Sequence, residues 1–468
     1  MDEQHPQFNS QFSGTTNPRR HRMRWLLTTL LLCALLVATV VLVVSLFRSI
    51  FNPRSLRHDA TAASSAVPET VAGETSDKPA DSAEDGDAAE DADKSTDSDE
   101  PEEPAEPEPV HARLLMIGDL LMHDGVIYSG QREDGSFNYD HLFTHIVDDV
   151  RAADVAVLNQ ETILGGTAFP YTGYPQFNSP QELGDAEVAA GFDVILKATN
   201  HTLDMGYDGV RVELEYWKNN HPEVAIIGMA DPDGDGVCPA GTRNTAGPYI
   251  FEKDGLRIAM LNYTNIWNLN IDVSHDGQVV ADMSEEALYA DIAAAHEQAD
   301  LVVVFPHWGA EYETSPSEGE RYWASVMQDA GADVVIGGHP HVIQPVEVWG
   351  EGDDRMLIIW SVGNYVSNMW EAYKVVGGMA TVDFVKDDDG ARVEAYEFMP
   401  VICQRMPNSP ELTAYKLPDY TDELAAASSI RETDPASGYS KQWYIDFCAE
   451  VLGDAFDRDT LSVHGELS

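Results

Sequence analysis

Seven short apolar runs punctuate residues 113–338: RLLMIG (113–118), DVAVLN (154–159), DVILKA (193–198), VAIIG (224–228), RIAMLNY (257–263), LVVVFP (301–306) and DVVIGG (333–338). Each has the length and the Val/Ile/Leu content of a strand buried on both faces. Amphipathic stretches, residues 284–298 and 318–330 among them, lie between several of the runs. Buried strands alternating with helices specify an α/β domain. After residue 340 the texture changes to VIQPVEVW, MLIIWSV, VVGGMATVDFV and ARVEAYEFM, which predicts a meander packed on the same core. Residues 406–468 read as a polar extension with one helix near 440–452.

The chain before this domain has a different physical character. Residues 1–24 are polar and end in a basic cluster, Arg19, Arg20, Arg22 and Arg24. Residues 25–47 are apolar and uncharged, and as a helix they measure roughly 34 Å, enough to cross a hydrocarbon core. Arg48, Ser49, Ile50 and Phe51 follow, a poor cleavage site, so the run reads as a signal anchor that is retained. The basic N-terminus suits the cytoplasmic side, which puts the long C-terminal part outside the cell. Residues 48–110 crowd Pro, Glu, Asp, Ala and Ser, have almost nothing to bury and read as a disordered acidic linker. The expected organisation is 1–24 cytoplasmic, 25–47 transmembrane, 48–110 linker, 111–405 folded domain and 406–468 extension. With 80 acidic against 28 basic residues, the formal charge of -52 repels nucleic acid and argues against it as a partner.

Four cysteines occur, with Cys33 in the apolar run and no CxxC among Cys238, Cys403 and Cys448. A Cys403–Cys448 bridge and isolated thiols both fit an extracytoplasmic domain. The DPDGDG segment (231–236) spaces its aspartates as calcium loops do. Its twelfth position is Thr242 rather than a bidentate Glu, however, and Pro232 stiffens its start, so it reads as a solvated turn.

Chemistry concentrates where strands end, because a rigid sheet fixes the backbone there and the next loop exposes the side chain. Five such segments carry metal-ligand types: IGDLLMH (Asp119, His123), LNQET (Asn159, Glu161), ATNHTLDMG (Asn200, His201, Asp204), FPHWGAEY (His307, Glu311) and GGHPHVIQ (His339, His341). A dinuclear centre needs an anionic bridge, hard oxygen ligands and neutral imidazoles to hold two cations about 3.5–4 Å apart. The ordered set supplies those types. In GGHPHV the proline stiffens the turn and the glycines allow close backbone approach.

GDLLMH, NQET, TNHTLDMGYDG, HWGAEY, GGHPHVIQ and the following WSVGNYVSN resemble, in order, the motifs of the CapA family linked to poly-γ-glutamate capsule synthesis. That family is similar in turn to the calcineurin-like metallophosphoesterases. The resemblance covers residues 113 to about 400 and implies a four-layer α/β/β/α sandwich with helices outside two central sheets. It implies that Asp119 and His341 hold one divalent metal, that Asn200, His307 and His339 hold the other, and that Glu161 bridges them. His201 would stand over the substrate as proton donor or charge stabiliser.

The sequence departs from the phosphoesterase pattern in two places. Leu121 stands where that pattern has a histidine, leaving His123 as the substitute, and the bridging acid is Glu161. A single-metal version stays open, and Glu311 and Tyr312 are candidates to orient His307. Mn, Fe and Zn suit the donors equally. The resemblance points to an anionic polymer such as poly-γ-glutamate, or to a phosphoester, as substrate. Metal-dependent hydrolysis and a non-catalytic, polymer-binding accessory role beside a membrane synthase both follow from it.

Overall fold

The apolar runs form strands of two sheets. The computed structural model describes residues 108–467 apart from 234–247, 269–278, 408–411 and 435–439. The apolar run 25–47, nearly all of the linker, the second half of DPDGDG, Cys33 and Cys238 lie outside the described residues. Among the described residues no helix is long and apolar enough to cross a membrane.

The first half of the domain gives β1 (Val110–Leu120), β2 (Val155–Gln160), β3 (Val194–Leu196), β4 (Ala225–Ile227), β5 (Tyr249–Lys253), β6 (Leu256–Thr264), β7 (Leu301–His307) and β8 (Val334–Ile336). The second half gives β9 (Val346–Trp349), β10 (Met356–Ile359), β11 (Asn364–Val366), β12 (Val376–Asp387), β13 (Gly390–Arg405), β14 (Leu412–Lys416), β15 (Phe456–Asp457) and β16 (Ser462–Glu466). One sheet runs β15-β16-β13-β12-β1-β2-β3-β4, with β11 against β1 and β14 against β13; the other runs β5-β6-β7-β8-β10-β9. Strands β1 to β4 are mutually parallel, as are β6, β7, β8 and β10. Every residue of β2 and of β7 is buried, so these strands are covered on both faces, and one continuous hydrophobic core joins the two sheets.

The helices carry the stop and start signals expected of them. Helix Glu318–Ala330 opens with a capping box, in which Ser317 Oγ accepts the Glu320 N–H while the Glu320 carboxylate accepts the Ser317 N–H. It closes at Gly331, whose φ of 100° continues the chain without a Cβ clash. Ser284 caps helix Glu285–His296 with its side chain alone, Oγ accepting the Ala287 N–H at 3.2 Å.

Two expectations are corrected. The strands after residue 340 are not one meander: β9 and β10 extend the second sheet, and the chain then crosses at 360–363 to β11, β12 and β13 of the first. MLII and VVGGMATVDFV are both apolar enough to fit either sheet, so composition carried no information on which one each joins. Nor are residues 406–468 an appendage. The expected helix runs Lys441–Leu452, but β14 pairs with Val401–Arg405 and β16 with Ala395–Phe398, sharing the edge of β13 that β12 leaves open. An unpaired sixteen-residue strand edge is a liability, and this segment covers it. Cys403 and Cys448 are separate buried thiols with no bridge between them.

Candidate metal centre

The parallel strands of both sheets deliver their C-terminal ends to one place. Asp119 lies near the end of β1, where the register with β2 and β11 becomes irregular, and its N–H is held by the Gly363 carbonyl at 2.8 Å. Its carboxylate is fully buried. Oδ1 accepts from Asn159 Nδ2 at 2.6 Å, and Oδ2 accepts from the His339 N–H at 3.2 Å and lies 3.0 Å from His341 Nδ1. Glu161 follows β2, Asn200 and His201 follow β3, His307 ends β7, and His339 and His341 follow β8.

The loop after β8 is built for close approach. A Cβ on Gly338 would stand 2.8 Å from Asp119 Oδ1, so only glycine admits that carboxylate. His339 and His341 have φ of 93° and 59°, a region that costs non-glycine residues about 1–3 kcal/mol each. The conformation is held by Asp119, by Asn364 Nδ2 donating to the His341 carbonyl at 3.0 Å, and by the Tyr312 N–H donating to Pro340 at 2.7 Å.

The structure brings Asp119, Glu161, Asn200, His307, His339 and His341 together. They form two groups whose candidate ligand atoms lie within 4.8 Å of one another, Glu161/His307/His339 and Asp119/Glu161/His341, and Glu161 is common to both. Asn200 Oδ1 joins the first group, 2.9 Å from His307 Nε2. The most informative atoms are those without partners. Both Glu161 carboxylate oxygens, His307 Nδ1 and His339 Nδ1 are buried and make no hydrogen bond, a condition that native interiors avoid unless an ion or a reactant satisfies the group. Two carboxylates, an amide oxygen and three imidazoles fit a divalent metal.

Electrostatics point the same way. Burial, with the negative charge of Asp119 behind it, pushes the Glu161 carboxyl well above the usual carboxylate range. Burial also holds His307 and His339 neutral, well below the ordinary imidazole range, and the neighbouring imidazoles add to the effect. At His341 burial opposes the charged form, but the carboxylates of Glu161 and Asp119 outweigh it and push the ring up to about 9. Bound divalent charge would favour the ionised form of Glu161 and the neutral ligand form of His341.

The remaining candidates take other positions. His201 Nδ1 sits 2.7 Å from Asp204 Oδ2, an oxygen that also accepts the Phe177 N–H at 2.7 Å. The edge of the Phe177 ring packs on the imidazole, with centroids 4.7 Å apart. His123 belongs to neither group of ligands. It precedes helix Asp124–Ser129, which turns it to the cavity wall, where its Nδ1 accepts the Asn368 N–H at 3.3 Å. Glu311 is exposed on the same cavity. It does not orient His307, whose Nε2 faces Asn200 and whose Nδ1 has no partner. The cavity, of about 470 Å³, is lined by His201, His341 and His123 with Phe177, Tyr174 and Trp370 beside them.

Asp204 is among the sequence candidates, and the His-x-x-Asp spacing in NHTLD signals its role beside His201, but two further supporting residues carry no such signal. Asn268 donates to the Asn200 carbonyl at 2.8 Å from a segment with no pattern to mark it, and Lys197 read simply as the end of a strand.

Burial also lowers the pKa of His123 to about 4, with the charge of His341 contributing. The folded chain therefore protonates this ring later than the unfolded chain does as pH falls. Stability should drop from pH 6.5 toward 4 by about 1.4 kcal/mol per unit from this ring. His123→Phe should narrow the gap between melting temperatures measured at pH 7 and pH 5.

Two sheets sharing a core, with carboxylate, amide and imidazole groups that could hold a metal gathered at their strand ends, fit the mixed α/β fold of a metallophosphoesterase-like protein. A family model described as "Bacterial capsule synthesis protein PGA_cap" matches residues 113–369, more than half of the chain, and the chain belongs to that family, the CapA proteins. It is 32% identical over 176 residues to the PGA biosynthesis protein CapA of Bacillus subtilis (strain 168), covering 37% of this chain and 42% of that protein. It is 27% identical over 289 residues to the capsule biosynthesis protein CapA of Bacillus anthracis, covering 60% of this chain and 65% of that protein. The chain thus spans less than two thirds of the length of either relative.

Proposed function

We propose that this chain is a membrane-anchored, extracytoplasmic protein of poly-γ-glutamate synthesis or export that works through a metal-dependent hydrolase site. The family and the names of its relatives support the polymer. The uncharged run 25–47 supports the anchor, and the basic cluster before it supports the orientation. Helices outside two central sheets, the four-layer arrangement, would account for strands buried on both faces.

The single observation that carries the hydrolase site is Glu161, a fully buried carboxylate with no hydrogen bond to either oxygen, shared by two groups of candidate ligand atoms. Asp119 and His341 would hold one cation, Asn200, His307 and His339 the other, with Glu161 between them. Bound divalent cations supply Lewis-acid polarisation and neutralise charge at a reacting phosphoester or amide. The chain's own residues do the rest. His201 donates its Nδ1–H to Asp204, which fixes the ring and leaves Nε2 as the nitrogen for a ligand in the cavity. As the imidazolium, with Nε2 protonated as well, it would give that Nε2 proton to the departing group. Phe177 packs against the imidazole and excludes water from one side of it.

One observation favours the second reading, a non-catalytic accessory subunit beside a membrane synthase. The cavity is lined by Asp124, Glu311 and Glu371 and, among the described residues, by no lysine or arginine, so only its histidines could meet a polyanion with positive charge. Elemental analysis of the purified full-length chain, followed by turnover assays on a model phosphoester and on poly-γ-glutamate, separates the two. Hydrolysis of either substrate with bound divalent metal is the expected result. A metal-loaded protein inert on both would point to the accessory role, and a metal-free one would sink the site.

A further inference from the structure

Just before Asn200 and His201 stands a lysine that the ligand set does not use. Lys197 is 0% exposed. Its Nζ lies 3.0 Å from the Gln160 carbonyl, 2.8 Å from the Thr162 carbonyl and 3.2 Å from Glu213 Oε1. Two residues later, Thr199 Oγ1 donates to the Glu161 carbonyl at 2.8 Å. Three consecutive carbonyls, those of Gln160, Glu161 and Thr162, are therefore gripped by the loop that presents Asn200 and His201.

The grip is itself anchored. The Lys197 N–H is 2.8 Å from the Ile227 carbonyl and 3.1 Å from Asn262 Oδ1, which also accepts the Ala198 N–H at 2.6 Å. Asn262 belongs to β6 of the other sheet and donates to the Phe305 carbonyl on β7, the strand that ends in His307. The loops carrying Glu161, Asn200 and His307 are thus joined through buried hydrogen bonds that pass through residue 197.

No hydrogen bond at its own carboxylate fixes the direction of Glu161, whose Oε1 stands 3.7 Å from both His307 Nε2 and His341 Nε2, so the backbone that carries it bears on that direction. We infer that Lys197 is a positioning residue: its ammonium clamps the carbonyls on either side of Glu161 and so sets that carboxylate against Asn200 and His307. The inference rests on Glu161 being a shared metal ligand. It concerns geometry, since the lysine charge is matched by Glu213, which also accepts from the Leu164 N–H and from Trp217 Nε1. The competing role, a mere counter-ion for buried Glu213, is separable. Breaking a buried ion pair from one side leaves an uncompensated charge, whereas neutralising both partners does not.

The test compares full-length wild type, Lys197→Met, Lys197→Met/Glu213→Gln and Glu161→Gln. Metal-free melting and Co²⁺ titration are measured for each, with the visible Co²⁺ absorption as a reporter of ligand geometry. K197M should melt lower, and the double variant should recover most of that loss. Both should still bind Co²⁺ about tenfold or more weaker, with an altered absorption band, the size of effect that supporting residues around metal ligands usually have. A double variant with wild-type affinity and spectrum would overturn the positioning role and leave the metal reading intact. Wild type and E161Q binding Co²⁺ alike would instead overturn the metal reading, and the inference with it. If K197M does not fold, the double variant alone decides.

Discussion

Replacing Glu161 with glutamine should strip the protein of divalent metal while leaving the metal-free fold at least as stable as wild type. The substitution keeps shape and removes the one charge shared by both groups of ligands, so two cations would face each other without an anionic bridge. Metal content should fall to background and hydrolysis with it. The stability result is the less intuitive half. In the metal-free chain burial outweighs the attraction of His341 and shifts this carboxyl well above the range where the unfolded chain ionises. Between those two values the folded state binds the extra proton, so wild-type stability falls as pH rises, by about 1.4 kcal/mol per unit. Glutamine does not titrate, and its variant should lack that slope. Melts in chelator from pH 5 to 8 provide the check, and an E161Q protein less stable than wild type throughout would contradict the reading of Glu161 as strained by burial.

Removing the imidazole at 201 should act on turnover alone. His201→Ala is expected to lower hydrolysis by about 10²–10⁴-fold, the usual contribution of a positioned proton donor. Bound metal should stay unchanged, because His201 belongs to neither group of ligands. Asp204→Asn should have a smaller effect in the same direction: the ring stays in place but loses the carboxylate that selects its Nδ1–H tautomer. Elemental analysis beside the assay separates the alternatives. A loss of metal together with activity in H201A would move that histidine from proton donor to ligand.

The two halves of the problem were unequally legible in the chain. Strands β1 to β4 and β6 to β8 announce themselves because parallel strands covered on both faces must be apolar throughout, as in LVVVFP. The five ligand segments were legible for the same reason: each follows one of these runs, so order along the sequence translates into position along the strand ends. What pairs with what after residue 340 was not legible, since a hydrogen-bonded edge imposes no composition of its own. The same holds for β16, whose SVHGE would pass for a loop, and for β14. Around the centre, Asn268 and Lys197 act through carbonyls that any residue type presents, and such contacts leave no trace in a motif. His123, the substitute for the histidine missing at Leu121, stands on the wall of the same cavity rather than within either ligand group, because the helix starting at Asp124 turns it there.

The unfavourable backbone angles at His339 and His341 set up a conflict between durability and chemistry. Glycine would sit more comfortably at either position, so drift under selection for robustness alone would relax this turn and erase its imidazoles. Two histidines on a backbone that resists them are strain of the kind that gathers at binding sites rather than in turns shaped for stability alone. A relative without the proposed metal site should show the relaxation first in this dipeptide-spaced pair, before any change in the comfortable strands beneath it.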